Sequence, residues 1–212
     1  VIDMWQVNKR YLSDDMFVEK MVRENAFNPS ATDQYILQDK TLDYRVLNLA
    51  TNTFNENETS YWHKSVGGYH AAKLRRYQEM IEEHLSSEMQ LMFKEVVDKQ
   101  GDMTQVNDSL FPVINMLNTR WIIFPGQNQS TIPLQNPHAY GNAWFVDEVK
   151  FVNNANEELE ALHEVNPRTV AVVDRKFAEV LGASDAGSVS ALTTAADDSL
   201  RSVKLLSYEP NK

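Results

Sequence analysis

The chain has 212 residues and a net charge of −10, with 20 Lys and Arg against 30 Asp and Glu. That balance excludes nucleic acid as an expected partner, because binding a polyphosphate needs a cationic footprint. Cysteine is absent, which removes disulfides, thiolate catalysis and Cys-ligated zinc, and a hydrophobic content of 42% with 24% charged residues fits a globular domain able to bury a sizeable core.

Residues 1–28 read as an irregular connector with one short helix after Ser13, and the chain opens without Met, so both ends are expected to be cuts in a longer protein. Pro29-Ser30-Ala31-Thr32-Asp33 is a helix start, with Ser30 or Thr32 as cap and Asp33 in the first turn. Residues 44–49 read as a strand. A long helix is expected from about Tyr69, with Leu74, Tyr77, Ile81 and Leu85 on one stripe at spacings of three and four. Ser87 with Gln90 forms a capping box for a second helix. Met89, Met92, Phe93, Val96 and Val97 make its buried stripe, and Gly101 is a fitting stop.

Residues 109–117 suggest a short helix, with Pro112 early enough to be tolerated. A strand over 120–124 ends at Pro125-Gly126, and residues 125–141, rich in Pro and Gln, read as an extended loop. The strongest strand signal covers 142–152, followed by a helix from Asn154 or Ala155 to about His163. Residues 169–173 form another strand, and Asp174 caps a helix that runs to Leu181 and stops at Gly182. Residues 183–200 are small and polar, a flexible loop, and 201–212 hold a terminal strand. Strands and helices in mixed order imply an α+β domain over 29–182, with amphipathic helices against one small mixed sheet. No apolar run approaches the roughly 18–20 residues that cross a bilayer, and no signal segment opens the chain.

Enzyme fingerprints are missing: GxGxxG, GxxxxGK[ST], HExxH and GxSxG do not occur. His63, His70, His84, His138 and His163 are scattered, so neither a metal set nor a cofactor is expected. The adjacent acids Asp14-Asp15, Glu82-Glu83 and Asp197-Asp198 diverge and cannot serve as a converging glycosidase pair. No catalytic residue is assigned.

One cluster remains as a candidate for ligand contact: Tyr61, Trp62, His63, Tyr69, His70, Lys73 and Arg76, with Lys64 and the Gly67-Gly68 hinge between them. Lys73, Arg75 and Arg76 fall at the start of the expected long helix, where the dipole disfavours cations by roughly 0.3–1 kcal/mol each. Aromatic faces stack on sugar rings, and basic groups beside helix-end amides hold phosphate. The other account is that the aromatics pack the core or dock a partner, and that the basic turn is solvated and paired with neighbouring acids. Trp121, Trp144 and Phe145, on expected strands, read as core.

The blocks RVLNL (45–49), TSYWHKSVGGYHAAKLRRYQ (59–78), INMLNTRWII (114–123) and NPHAYGNAWFVDEVKFVNNANEELEAL (136–162), with LLSYEPN (205–211), occur in order. Together they resemble the soluble C-terminal part of YfhO-type bacterial membrane proteins, relatives of the polyprenyl-phosphate-dependent membrane glycosyltransferases of the C superfamily. The resemblance implies a domain on the extracytoplasmic (periplasmic) side of the cytoplasmic membrane, with residues 1–28 leading in from a preceding membrane helix. Its implied partners are the protein's own transmembrane helices and a lipid-linked sugar or envelope glycan. The superfamily's catalytic acids lie near the N-terminal transmembrane helices, outside this chain, so the expected role is substrate recognition or scaffolding for glycosyl transfer. The alternative is a purely structural cap on the transmembrane bundle, with no ligand of its own. A soluble enzyme in its own right is a third reading, which the missing fingerprints disfavour.

Overall fold

The computed structural model describes residues 2–11, 14–25, 28–181, 189–190 and 202–209. Helices α1 (Ile2–Tyr11) and α2 (Lys20–Asn25) replace much of the expected irregular connector. Helix α3 (Ala31–Ile36) starts as expected: Ser30 accepts from the Asp33 amide while the Asp33 carboxylate accepts from the Ser30 amide, a reciprocal capping box. Strand β1 (Arg45–Asn48) comes next, then α4 (Glu58–Trp62).

The two helices expected on either side of Ser87 are one continuous rod. Helix α5 (Arg75–Met80) passes through a π-helical turn, Ile81–Leu85, into α6 (Ser86–Asp98). It begins at Arg75 rather than near Tyr69, and Ser87 caps nothing: its hydroxyl donates back to the His84 carbonyl inside the rod. Helix α7 (Pro112–Met116) precedes β2 (Thr119–Pro125), and β3 (Thr131–Gln135) lies inside the stretch expected to be loop. Strand β4 is confined to Glu148–Val152, short of the expected 142–152. Helix α8 (Ala155–Ala161) and β5 (Val170–Asp174) complete the regular elements of this half. Asp174 does cap the turn after β5, accepting from the Lys176 amide, but residues 175–181 form two short 3-10 turns and not an α-helix. The expected flexible loop over 183–200 lies outside the described residues except for β6 (Val189–Ser190). Residues 202–209 have no regular secondary structure, so the terminal strand is not formed there.

The fold is α+β, as expected, but the strands of the described residues divide into two three-stranded mixed sheets instead of one. In the first, β1 pairs parallel with β2 and β2 antiparallel with β3. Residue Pro133 sits on β3, an edge strand, where a missing N–H costs no inner ladder bond. In the second, β4 lies between β5, parallel to it, and β6, antiparallel.

Alternation along the first sheet sends its side chains to two cores. Leu47 and Ile122 face the rod, joining Ile81, Leu85, Met92, Val96, Phe111 and Ile114. Val46, Trp121 and Ile123 face the other way and pack with Ile36 of α3. Each fully buried aliphatic contributes about 1.5–3 kcal/mol, so the larger cluster anchors the domain. Buried polar groups are largely satisfied. Asp39 accepts from the Arg120 guanidinium at 2.7 Å and the Trp121 indole at 2.8 Å, and Asn136 donates to Asn115 and to the Thr119 carbonyl.

Candidate functional site

The chain after β1 folds back tightly on itself. Lys64, Ser65 and Val66 run beside β1, with the Val46 amide donating to the Lys64 carbonyl and the Val66 amide to the Val46 carbonyl, both at 2.9 Å. The Gly-Gly hinge is a packing device. A Cβ on Gly67 would stand 2.0 Å from the Thr53 carbonyl oxygen, and Gly68 adopts φ +104. The Gly68 amide donates to that same Thr53 carbonyl, whose position is held by the Thr53 hydroxyl on Asn48 O. Glycine is needed here for close backbone approach.

The seven expected ligand-contact residues are spread over α4, the chain after it and the start of the rod, and most have partners within the fold. His63 is buried, with Nε2 at 2.9 Å from Asp33 Oδ1, and it ties α4 to the cap of α3. Burial alone would raise the Asp33 carboxyl, but the bonds from His63 and Ser30 outweigh it and hold the group below its ordinary value. Tyr61 and Trp62 stack edge to face at 5.1 Å on α4. His70 Nδ1 accepts from the Ala72 amide in a local turn. Lys73 precedes the rod, its ammonium over the Phe54 ring at 5.5 Å, and Tyr69 is exposed. Arg75 pairs with Glu79 one turn on. Arg76 donates to Glu158 of α8 at 2.8 Å, and Glu158 also accepts from the Asp174 amide, so this cation links the rod to the second sheet. Pairing with acids, the alternative to a ligand-holding role, therefore describes Arg75 and Arg76.

Beside Lys64 lies a groove of about 800 Å³ whose wall the sequence did not reveal. Its rim is built where three distant turns meet in left-handed backbone: Asp43 (φ +52), Asn118 (φ +55) and Gly141 (φ +86). Side-chain amides lock them together, with Asn118 Nδ2 donating to the Asp43 carbonyl and Asn142 Nδ2 to the Leu42 carbonyl. Non-glycine residues in this region each store about 1–3 kcal/mol unless compensated, and Asp and Asn are the side chains that tolerate it best. Among the described residues, the charged ones of the wall are Arg45, Lys64 and Asp43, two cations and one acid. Lys64 pairs with Asp43 and stands over the Tyr208 ring, its ammonium 3.3 Å from the centroid. Desolvation acts against the charged ammonium, but these two partners prevail and raise its pKa.

Trp144 and Phe145, expected as core, are not. Both precede β4 in irregular chain; Phe145 is exposed, and half-buried Trp144 forms one wall of the groove. Across Trp144, Met80 and Met116 lies a smaller, mainly apolar pocket of about 380 Å³ that opens beside the Arg76–Glu158 pair. Among the described residues no group of three or more His, Asp or Glu is placed to hold a metal ion.

No protein-family model matches the chain, and no curated protein or solved structure matches it either.

Proposed function

We propose that the chain is the extracytoplasmic domain of a multi-spanning bacterial membrane protein of the YfhO type, assisting lipid-linked glycosyl transfer to envelope glycans by recognition or scaffolding while chemistry occurs elsewhere in the parent. The observation that carries this reading is the N-terminal arm. Across α1, the turn after it and α2, Met4, Trp5, Val7, Tyr11, Phe17 and Met21 are 42–72% exposed. An apolar run of that density is stable where lipid or an apolar protein face covers it. Aromatic and basic residues side by side, as in Trp5 with the Lys9 ammonium 5.3 Å from its ring, suit the water–lipid boundary. Among the described residues no helix is long and apolar enough to cross a membrane, so on this reading the arm lies against the bilayer or the preceding helices.

The structural-cap reading gains from one observation: Arg75, Arg76 and His63 are engaged within the fold. That leaves less of the original cluster for a ligand.

Because this chain has no cysteine, the placement is testable in a full-length protein whose other segments are made cysteine-free. A single Tyr69→Cys at an exposed position in the full-length protein should react with a membrane-impermeant maleimide in intact spheroplasts as fully as in lysed ones. Labelling only after lysis would refute the extracytoplasmic placement. Removing the domain should abolish transfer from a lipid-linked sugar in reconstituted vesicles; unchanged transfer would refute a role in that reaction.

A further inference from the structure

The groove behind Lys64 carries chemistry that neither docking nor core packing uses. Arg45, the first residue of β1, contributes to its wall, and its guanidinium makes no ion pair or hydrogen bond among the described residues. With Lys64 already committed to Asp43, the described residues of the wall keep a net charge of +1 in a chain whose total is −10. A local surplus of that sign favours an anion, and a guanidinium is the side chain best shaped to hold a carboxylate or phosphate by two parallel bonds.

The other walls are aromatic and preorganised. The Trp144 indole is fixed by its N–H to the Pro167 carbonyl at 2.9 Å and by an edge-to-face contact with Tyr140 at 5.1 Å. Tyr208, from the irregular tail over 202–209, also lines the groove and is pinned by the Lys64 ammonium against its ring. Pyranose C–H groups pack on the electron-rich faces of such rings. Inorganic phosphate would use the cations and leave both rings idle.

We propose that this groove binds an anionic saccharide, a pyranose bearing a phosphate or a carboxylate, with Arg45 on the anion and Trp144 and Tyr208 flanking the ring. The inference deepens the extracytoplasmic glycan-recognition reading, on which it rests only for the ligand's physiological source. Its test needs no membrane, so failure of either leaves the other standing.

Saturation-transfer NMR on the 212-residue chain, with α-glucosyl phosphate, glucuronate, glucose and uridine monophosphate each at up to about 10 mM, and with inorganic phosphate, which has no carbon-bound proton, read by its displacement of the bound sugar, decides it. One or both anionic sugars should bind, the tighter identifying the anion, and glucose should bind at least about tenfold more weakly. Arg45→Gln should weaken the anionic sugar about tenfold with an unchanged melting temperature, since the Arg45 side chain is exposed and makes no ion pair or hydrogen bond among the described residues. Tyr208→Ala should weaken sugar binding as well, the mark of ring contact. No transfer to either anionic sugar, or equal binding by Arg45→Gln, would overturn the proposal. So would inorganic phosphate or the nucleotide binding as tightly as the sugars.

Discussion

Glu88 lies in the first turn of α6 and is buried, yet both of its oxygens are occupied on another helix. Oε1 accepts from the Val113 amide at 3.0 Å and Oε2 from the Ile114 amide at 2.9 Å. These are the second and third residues of α7, whose own cap position is Phe111 and cannot supply an oxygen. Burial pushes the Glu88 carboxyl up to about 7 from a reference of 4.5, with the two amides pulling the other way. Because the folded-state value is the higher one, the folded protein holds a proton that the unfolded chain releases between these pH values. Stability therefore falls as pH rises through that window, by about 1.4 kcal/mol per unit and ~3 kcal/mol in all. Replacing Glu88 with Gln abolishes the titration but turns an amide N–H toward a backbone donor, at about 1–3 kcal/mol. Urea unfolding followed by tryptophan fluorescence should show the variant weaker than wild type near pH 4.5, with the gap closing or reversing near pH 8. Glu88→Ala orphans both amides and opens a void, and should cost ~3–5 kcal/mol at either pH. A Glu88→Gln difference independent of pH would refute the reasoning, since it would mean that the α7 amides fully offset the cost of burying the charge.

Gly67→Ala places a methyl within contact-forbidden distance of the Thr53 backbone and should cost more than about 3 kcal/mol, measured as a fall in melting temperature; an unshifted melting curve would show that the hinge yields. Arg76→Gln breaks an ion pair whose cation is 74% exposed, while removing a charge that opposes the helix dipole. The isolated chain should change by less than about 1 kcal/mol, and a larger loss in urea unfolding would assign the pair a structural role. Asp39→Asn loses a carboxylate that burial would push up but that bonds from Thr41 and Arg120 hold far below the ordinary 3.8. That stability is present above the unfolded value and lost as pH falls below it, so the variant should be weaker by about 1–3 kcal/mol at neutral pH and should unfold with a smaller acid dependence than wild type.

The features legible in the sequence were those that adjacent residues decide among themselves. The α3 cap needed only Ser30 and Asp33, and β1, β2 and β5 needed only short aliphatic runs; each fell within a residue or two of expectation. The rod was misjudged for a definite reason. Its buried positions Ile81, Leu85, Glu88, Met92 and Val96 keep spacings of three and four straight through the π turn, so the rod carries one stripe. Ser87 with Gln90 imitates a capping box inside that stripe, and the carboxylate of Glu88 hides one of its inward positions. Leu74, counted in the stripe, precedes the rod and is 77% exposed. Strand β3 was hidden by Pro133 because only the sheet order reveals an edge. The groove was hidden more deeply: Arg45, Lys64, Asn118, Trp144 and Tyr208 meet only through tertiary structure. The available signal was the Asp and Asn one or two residues before β1 and β2, in left-handed turns.

The same rod explains why two small sheets can behave as one frame. Its α6 half reaches α7, next to the first sheet, through the Glu88 carboxylate. Its π turn aims buried His84 at α8, with the ring Nε2 2.9 Å from the Leu159 carbonyl and the His163 ring stacked at 4.0 Å. Burial and the neighbouring imidazole lower the His84 pKa, which keeps the ring neutral with its N–H on that carbonyl. Arg76 and Glu158 add a bond at the rod's first turn. The Glu88 and His84 bonds are buried, and polar bonds made in a low dielectric are lost at full cost when geometry slips, so these two fix the rod against both sheets more sharply than apolar contacts alone. Trp144 lines both pockets together with Met80 of that rod and Met116 of α7. The position of the groove wall is therefore set by the bonds that hold the two halves together.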